Sequence, residues 1–248
     1  MRILLLNPNT TTAVTDRLAA TAQKVVSPGT TVVPVTATRG VPYIATRAEA
    51  QIGGAIALAT LAEHHDKVDA AIIAAFGDPG LLGARELFDI PVVGMGEAAM
   101  LTACMLGRRF AICTFASALG PWYQESVDIL NLTQRCAGIR MLDGAFKSIS
   151  DVQEEKEDLL VELSLKTIAE TDADVIIFGG APLAGLAEKV RDRIPVPVVD
   201  QVQAAVKQAE TLVALNVRKA TTGTFRRPAA KATIGLSPAL ARRIEHKD

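Results

Sequence analysis

Aromatic residues are scarce in this chain, with one Trp, two Tyr and seven Phe among 248 residues. Proteins that hold single-stranded nucleic acid stack bases on aromatic rings and follow the backbone with positive charge. A formal net charge of −1 and so few rings supply neither, so nucleic acid is not an expected partner. Histidine is scarcer still: His64, His65 and His246 are the only three. A histidine metal site or a Ser-His-Asp triad would have to draw on the adjacent pair, which falls in the polar segment Glu63-His64-His65-Asp66-Lys67, where a solvated helix terminus explains it. Cys104, Cys113 and Cys136 are odd in number, widely spaced and without a C-x-x-C pair. That excludes both a disulfide framework and a zinc cage. No apolar run approaches the ~20 residues that cross a bilayer, and the opening Met1-Arg2-Ile3-Leu4-Leu5-Leu6 is shorter than a signal-peptide core. A soluble, cytoplasmic protein with no membrane partner is expected. No G-x-G-x-x-G or G-x-x-x-x-G-K-[ST] stands at a strand end, so no nucleotide cofactor and no metal is expected.

What the chain does have is apolar residues, 49% of the total, enough to bury one large domain or two small ones. Short apolar runs alternate with longer segments of helical period, the pattern of a parallel sheet covered by helices. Strands are expected near 2–6, 31–36, 69–75, 91–94, 109–114, 138–142, 174–178 and 196–199. Helices are expected near 11–26, 47–65, 80–88, 96–106, 119–132, 150–170, 183–191 and 201–215. Ala70-Ala71-Ile72-Ile73-Ala74-Ala75 and Val175-Ile176-Ile177-Phe178 read as strands buried on both faces. Pro91 and Pro197 open two further strands, a position proline tolerates.

These strands repeat. Asp69-Ala70-Ala71-Ile72-Ile73 leads through Phe76-Gly77-Asp78-Pro79-Gly80 to Ile90-Pro91-Val92-Val93-Gly94, then to Glu97-Ala98-Ala99. Asp172-Ala173-Asp174-Val175-Ile176-Ile177 leads through Phe178-Gly179-Gly180-Ala181-Pro182 to Val196-Pro197-Val198-Val199-Asp200, then to Gln203-Ala204-Ala205. The architecture this implies is α/β, with two pseudo-symmetric doubly wound halves and mainly parallel sheets. The first half is residues 1–100 joined by 206–216, and the second is 101–205. In open α/β sheets ligands bind beyond the carboxyl ends of the strands, so the turns at 75–80 and 180–184 should face one cleft. Residues 217–248 form a basic tail with eight Lys or Arg against two acids. It reads as a solvated tail or inter-subunit arm, or as a recruiter of an anionic partner.

Asn7-Pro8-Asn9-Thr10-Thr11-Thr12 joins the first strand to the first helix. Its polar side chains cap the helix, and their surplus over one cap suits binding of a small carboxylate or polar ring at the helix N-terminus. Asp78 is either a helix cap or, if burial raises its pKa, a general base. Glu97 either complements a helix dipole or serves as an acid or base at a carboxyl-end loop. Tyr43 and Arg47 lie in the long loop after strand 2. Thr114, Ser117, Trp122 and Tyr123 follow strand 5, and such loops carry substrate contacts. Gly77, Gly179 and Gly180 let backbone approach a ligand.

Asn7-Pro8-Asn9-Thr10, Ala75-Phe76-Gly77-Asp78-Pro79-Gly80, Gly96-Glu97-Ala98-Ala99 and the 178–187 turn together resemble the aspartate/glutamate/hydantoin racemase superfamily, in its hydantoin and allantoin racemase branch. The likeness spans about 1–215. It implies two pseudo-symmetric halves with the site between them, a homo-oligomer, and cofactor-independent chemistry through an enolate or carbanion on a hydantoin, ureide or amino acid. It also implies one cysteine from each half: a thiolate takes the α-proton while the opposite thiol returns one to the other face. The positions that match those cysteines are Ala75 and Gly180. Both expected bases are absent, so three readings stand: a divergent lyase, isomerase or hydrolase using Asp78, Glu97 or Tyr43; a racemase whose cysteines were replaced; or a non-catalytic binding relative. The substrate-binding set that follows is Asn7, Asn9, Thr10, Phe76, Gly77, Pro79, Thr114, Gly179, Ala181 and Pro182.

Overall fold

The computed structural model describes all of residues 1–248. Its elements run β1 (Arg2–Asn7), α1 (Thr12–Gln23), β2 (Thr31–Thr36), α2 (Arg47–His64), β3 (Ala70–Ile73), α3 (Leu81–Leu87), β4 (Val92–Gly94) and α4 (Met95–Leu106). They continue with β5 (Phe110–Thr114), α5 (Gly120–Ile129), β6 (Cys136–Met141), α6 (Val152–Thr171), β7 (Val175–Phe178), α7 (Leu186–Val190), β8 (Val198–Val199), α8 (Gln201–Ala214) and α9 (Pro238–Glu245). All eight expected strands are present. They form two four-stranded parallel sheets of the same order, β2-β1-β3-β4 and β6-β5-β7-β8. Each sheet therefore reverses its direction of winding at its second strand, which places a loop-lined crevice at the carboxyl ends of β1 and β3 and of β5 and β7.

The alternation along the strands shows why the first sheet is apolar on both faces. Ile3 and Leu5 of β1 and Ala70 and Ile72 of β3 face the main core with α1 and α8. Leu4, Leu6, Ala71 and Ile73 face a smaller core with α2, α3 and Leu240 of α9. The main core is continuous with the second sheet through Phe110, Ile112, Ile176 and Ile177.

Two helices cross between the sheets. α4 follows the first sheet in sequence but packs on β5, β7 and β8 of the second, while α8 follows the second sheet and packs on β3 and β4 of the first. The two helices also pack against each other. α4 spans the position between residues 100 and 101, and α8 spans that between 205 and 206.

The C-terminal segment is exposed over most of 217–237 and docks through its last helix. Leu240 is 7% exposed in the smaller core, α9 packs on α2, and Arg243 is buried. Its guanidinium donates to Leu87 O at 3.0 Å, pairs with Asp89 and Asp248 at 2.6 Å each, and lies 5.6 Å above the Phe88 ring. Arg227 pairs with Asp248, and Lys219 donates to the carbonyls of Arg85 and Glu86. Several of the basic residues that suggested an anionic partner are thus spent within the chain. His65 is likewise no solvated terminus: it is half-buried beside the Phe88 ring and 3.9 Å from Asp248.

Candidate active site

The turns after β3 and β7 meet. The Phe76 ring lies 4.7 Å from that of Tyr123, near the start of α5. A Cβ on Gly179 would stand 3.1 Å from the Tyr123 ring and 3.2 Å from the Phe76 ring, and one on Gly77 would overlap Trp122 at 2.1 Å. Glycine at 77 is therefore required by close approach: the backbone of one half sits flat on an indole from the other. Ala75, Phe76, Pro79, Ala181 and Leu183 are buried around this junction. The paired turns pack closely, with aromatic rings of Phe76, Trp122 and Tyr123 between them. Two open grooves lie elsewhere, one of about 650 Å³ between α4 and α8 and one of about 460 Å³ beside Phe88 and Phe225.

The Asn-Pro-Asn-Thr segment is held by its own side chains. The fully buried Asn7 donates from Nδ2 to Asn9 Oδ1 at 3.1 Å and Thr15 Oγ1 at 3.0 Å, while its Oδ1 accepts from the Asn9 amide. Asn9 Oδ1 also accepts from the Thr11 amide, and the Thr10 amide donates to Val41 O, which ties the β2–α2 loop to this corner. Asn7 is thus a scaffold residue. Thr114 is another, its hydroxyl donating to Gly179 O at 2.7 Å.

The carboxylates expected as acids or bases are engaged at the start of α4 and by Arg85. Asp78, at a positive φ of 49°, turns its carboxylate under the N-terminus of α4 and accepts from the Gly96 and Glu97 amides at 2.9 and 2.7 Å. It caps α4, not the helix that immediately follows it. Burial pushes its pKa up to about 8 against the pull of those amides and of Arg85. Glu97 is bound by the Arg85 guanidinium through both oxygens, on the outer side of the first sheet. With both oxygens engaged, it is a structural ion pair.

Tyr43 does reach the cleft region. Its ring lies 5.9 Å from both Phe115 and Phe146, and those two are 5.5 Å apart. Its hydroxyl is buried without a hydrogen-bond partner. Burial, with help from Glu49, keeps the phenol protonated far beyond neutral pH. Arg47 pairs with Glu125 at 2.6 Å, joining α2 to α5 across exposed surface.

At the second turn Gly180 has φ +127°. Gln201, at the first position of α8, grips its peptide from both sides: the Gly180 amide donates to Gln201 Oε1 at 3.1 Å, and Gln201 Nε2 donates to Gly180 O. Leu183, Ala184 and Gly185 also spend their amides within the turn or on Asp200. Among residues 180–183 only the Ala181 amide is therefore left free. In the first turn the amides of Phe76, Gly77 and Gly80 are free, while that of Asp78 donates to Ala75 O. Sequence reasoning missed Gln201, Phe115 and Phe146. The available signal was the repeat itself, which sets Gln201 against Met95 at the start of equivalent helices.

Cys113 is sealed within β5, where its Sγ lies 3.8 Å from the Thr167 hydroxyl. Burial raises the pKa of all three thiols, and all three are free. No cluster of His, Cys, Asp or Glu could hold a metal ion, and no helix is long and apolar enough to cross a membrane.

The Asp/Glu/Hydantoin racemase family model matches residues 3–209. The hydantoin racemase of Paenarthrobacter aurescens is 32% identical over 237 residues, covering 93% of this chain and 99% of that protein. The structure of allantoin racemase from Klebsiella pneumoniae superposes with a TM-score of 0.91 at 34% identity, over 97% of this chain and 98% of that one. Allantoin racemase from Pseudomonas fluorescens superposes with a TM-score of 0.88 at 34% identity, over 95% and 100%.

Proposed function

Because the chain belongs to the Asp/Glu/Hydantoin racemase family, an isomerase family, we propose that its cleft takes hydantoin, allantoin or a related ureide or amino acid and forms an enolate at the carbon alpha to a carbonyl. The observation that carries this reading is the full-length similarity to a hydantoin racemase and to two allantoin racemases. The site supports it in two ways. The free amides of Phe76 and Gly77 can donate to a developing oxyanion. The orphan Tyr43 hydroxyl, which costs free energy while unpaired, would be satisfied by a ligand carbonyl. Ala75 and Gly180 then flank the reacting carbon, with Phe76, Pro79, Ala181 and Pro182 as walls. A homo-oligomer at work in the cytoplasm belongs to the same proposal, and sizing in solution tests its assembly.

A second reading is favoured by one fact: neither Ala75 nor Gly180 carries a group that can take a proton. A pocket that binds without turning over would look the same. Proton NMR in D₂O with single-enantiomer 5-substituted hydantoins and allantoin separates the two, with an enzyme-free control for spontaneous enolisation. Loss of the α-proton signal and of optical activity above that control establishes turnover by a base outside positions 75 and 180. Binding without exchange establishes the non-catalytic relative, and absence of binding to all of these compounds removes the substrate assignment.

A further inference from the structure

This inference rests on the reading that the reacting carbon lies between the two turns. On the second-half side, a side chain at position 180 would be strained. Its φ of +127° is one that L residues rarely adopt, Gln201 holds the peptide in it, and a Cβ there would stand 2.8 Å from Phe115 Cε1. Phe115 cannot easily yield, being fully buried against Tyr43 and Phe146. Yet the same face is not empty of chemistry. The Tyr123 hydroxyl lies 3.6 Å from the point where that Cβ would be.

Tyr123 is the side chain that touches both turns, through Phe76 on one side and Gly179 on the other. Its phenol sits beside the Thr114 hydroxyl and near Tyr43. Thr114 spends its own proton on Gly179 O. We propose that the Tyr123 hydroxyl is the proton donor to the enolate carbon from the second-half face, in the place a side chain at 180 would otherwise serve. In that step the Tyr123 O–H bond breaks and a C–H bond forms at the enolate carbon. The negative charge passes to the phenolate oxygen, which regains a proton from water. Burial keeps the resting phenol protonated through neutral pH, so the group works as an acid and not as the base that starts the reaction.

The test supplies that base on the first-half face by Ala75→Cys and follows single-enantiomer 5-substituted hydantoins in D₂O by NMR and chiral chromatography. Ligand affinity is measured in parallel for the native protein, Ala75→Cys and Ala75→Cys/Tyr123→Phe. Ala75→Cys is expected to invert the enantiomer whose α-proton faces residue 75, placing deuterium at that carbon. Adding Tyr123→Phe should leave affinity unchanged and cut inversion about 100-fold or more, while exchange with retained configuration at the introduced thiol persists. Unchanged inversion in the double variant overturns the proposal, as does an Ala75→Cys protein that binds ligand without inverting it. Failure of the native protein and both variants to bind overturns the substrate reading and this inference with it.

Discussion

At Gly180 a single torsion decides what the second turn can present. Gly180→Ala is expected to cost about 1–3 kcal/mol through the positive φ and the approach to Phe115, whereas Ala75→Cys, where a Cβ already stands, should cost under about 1 kcal/mol. Urea unfolding of both variants checks this, and equal costs would contradict it. The consecutive glycines were visible in the sequence, but the conformation they allow depends on Gln201, 21 residues further on. Asp78 makes the companion case for charge. Unfolded, it ionises near 3.8; folded, burial moves this to about 8. Between those values the folded state holds the extra proton, so the contribution is full below about pH 4 and is lost as pH rises through about 8, by up to ~1.4 kcal/mol per pH unit. The difference in urea midpoint between the native protein and Asp78→Asn should therefore change steadily from pH 5 to 8. A flat difference would show that the carboxyl stays ionised throughout.

At the scale of elements, α4 is fixed at its start by Asp78 and by the Arg85–Glu97 pair. Arg85→Ala leaves a carboxylate that is 8% exposed without its partner, and a loss of about 2–4 kcal/mol is expected by thermal or urea unfolding. If Arg85→Ala and Glu97→Gln cost the same small amount, the pair is not the anchor described. α9 is held to α2 and α3 by Leu240 and Arg243. Arg243→Ala should release residues 217–248 to limited proteolysis while the remainder of the chain resists cleavage, and an unchanged digestion pattern would argue against that docking. Periodicity located every strand and the main helices, because apolar runs and turn residues report them locally. It could not show that the basic tail folds back, since a short amphipathic helix with two arginines reads the same whether its partner is water, another subunit or Asp89.

On the scale of the whole molecule, the repeat of strands and turns was legible enough to give two matching sheets and to set the turn at 75–80 opposite that at 180–184. The aromatic wall was not, because Tyr43, Phe115, Tyr123 and Phe146 come from four separate segments that only the fold brings together. One core spans both sheets, so unfolding should be a single cooperative event. Trp122 fluorescence, which reports the junction with Gly77, and far-UV circular dichroism are expected to give coincident curves. Separated midpoints would mean that the halves unfold independently.

The exchange of α4 and α8 between the sheets also bears on how the chain is made. Every residue of β1–β4 leaves the ribosome before residue 95, yet the helix that covers β3 and β4 spans residues 201–214. At roughly 5–20 residues per second, the first sheet waits on the order of ten seconds for its cover. During that interval the apolar face around Ala70 and Ile72 is a natural binding surface for chaperones, and a chain stalled midway would be sticky although half its strands are complete.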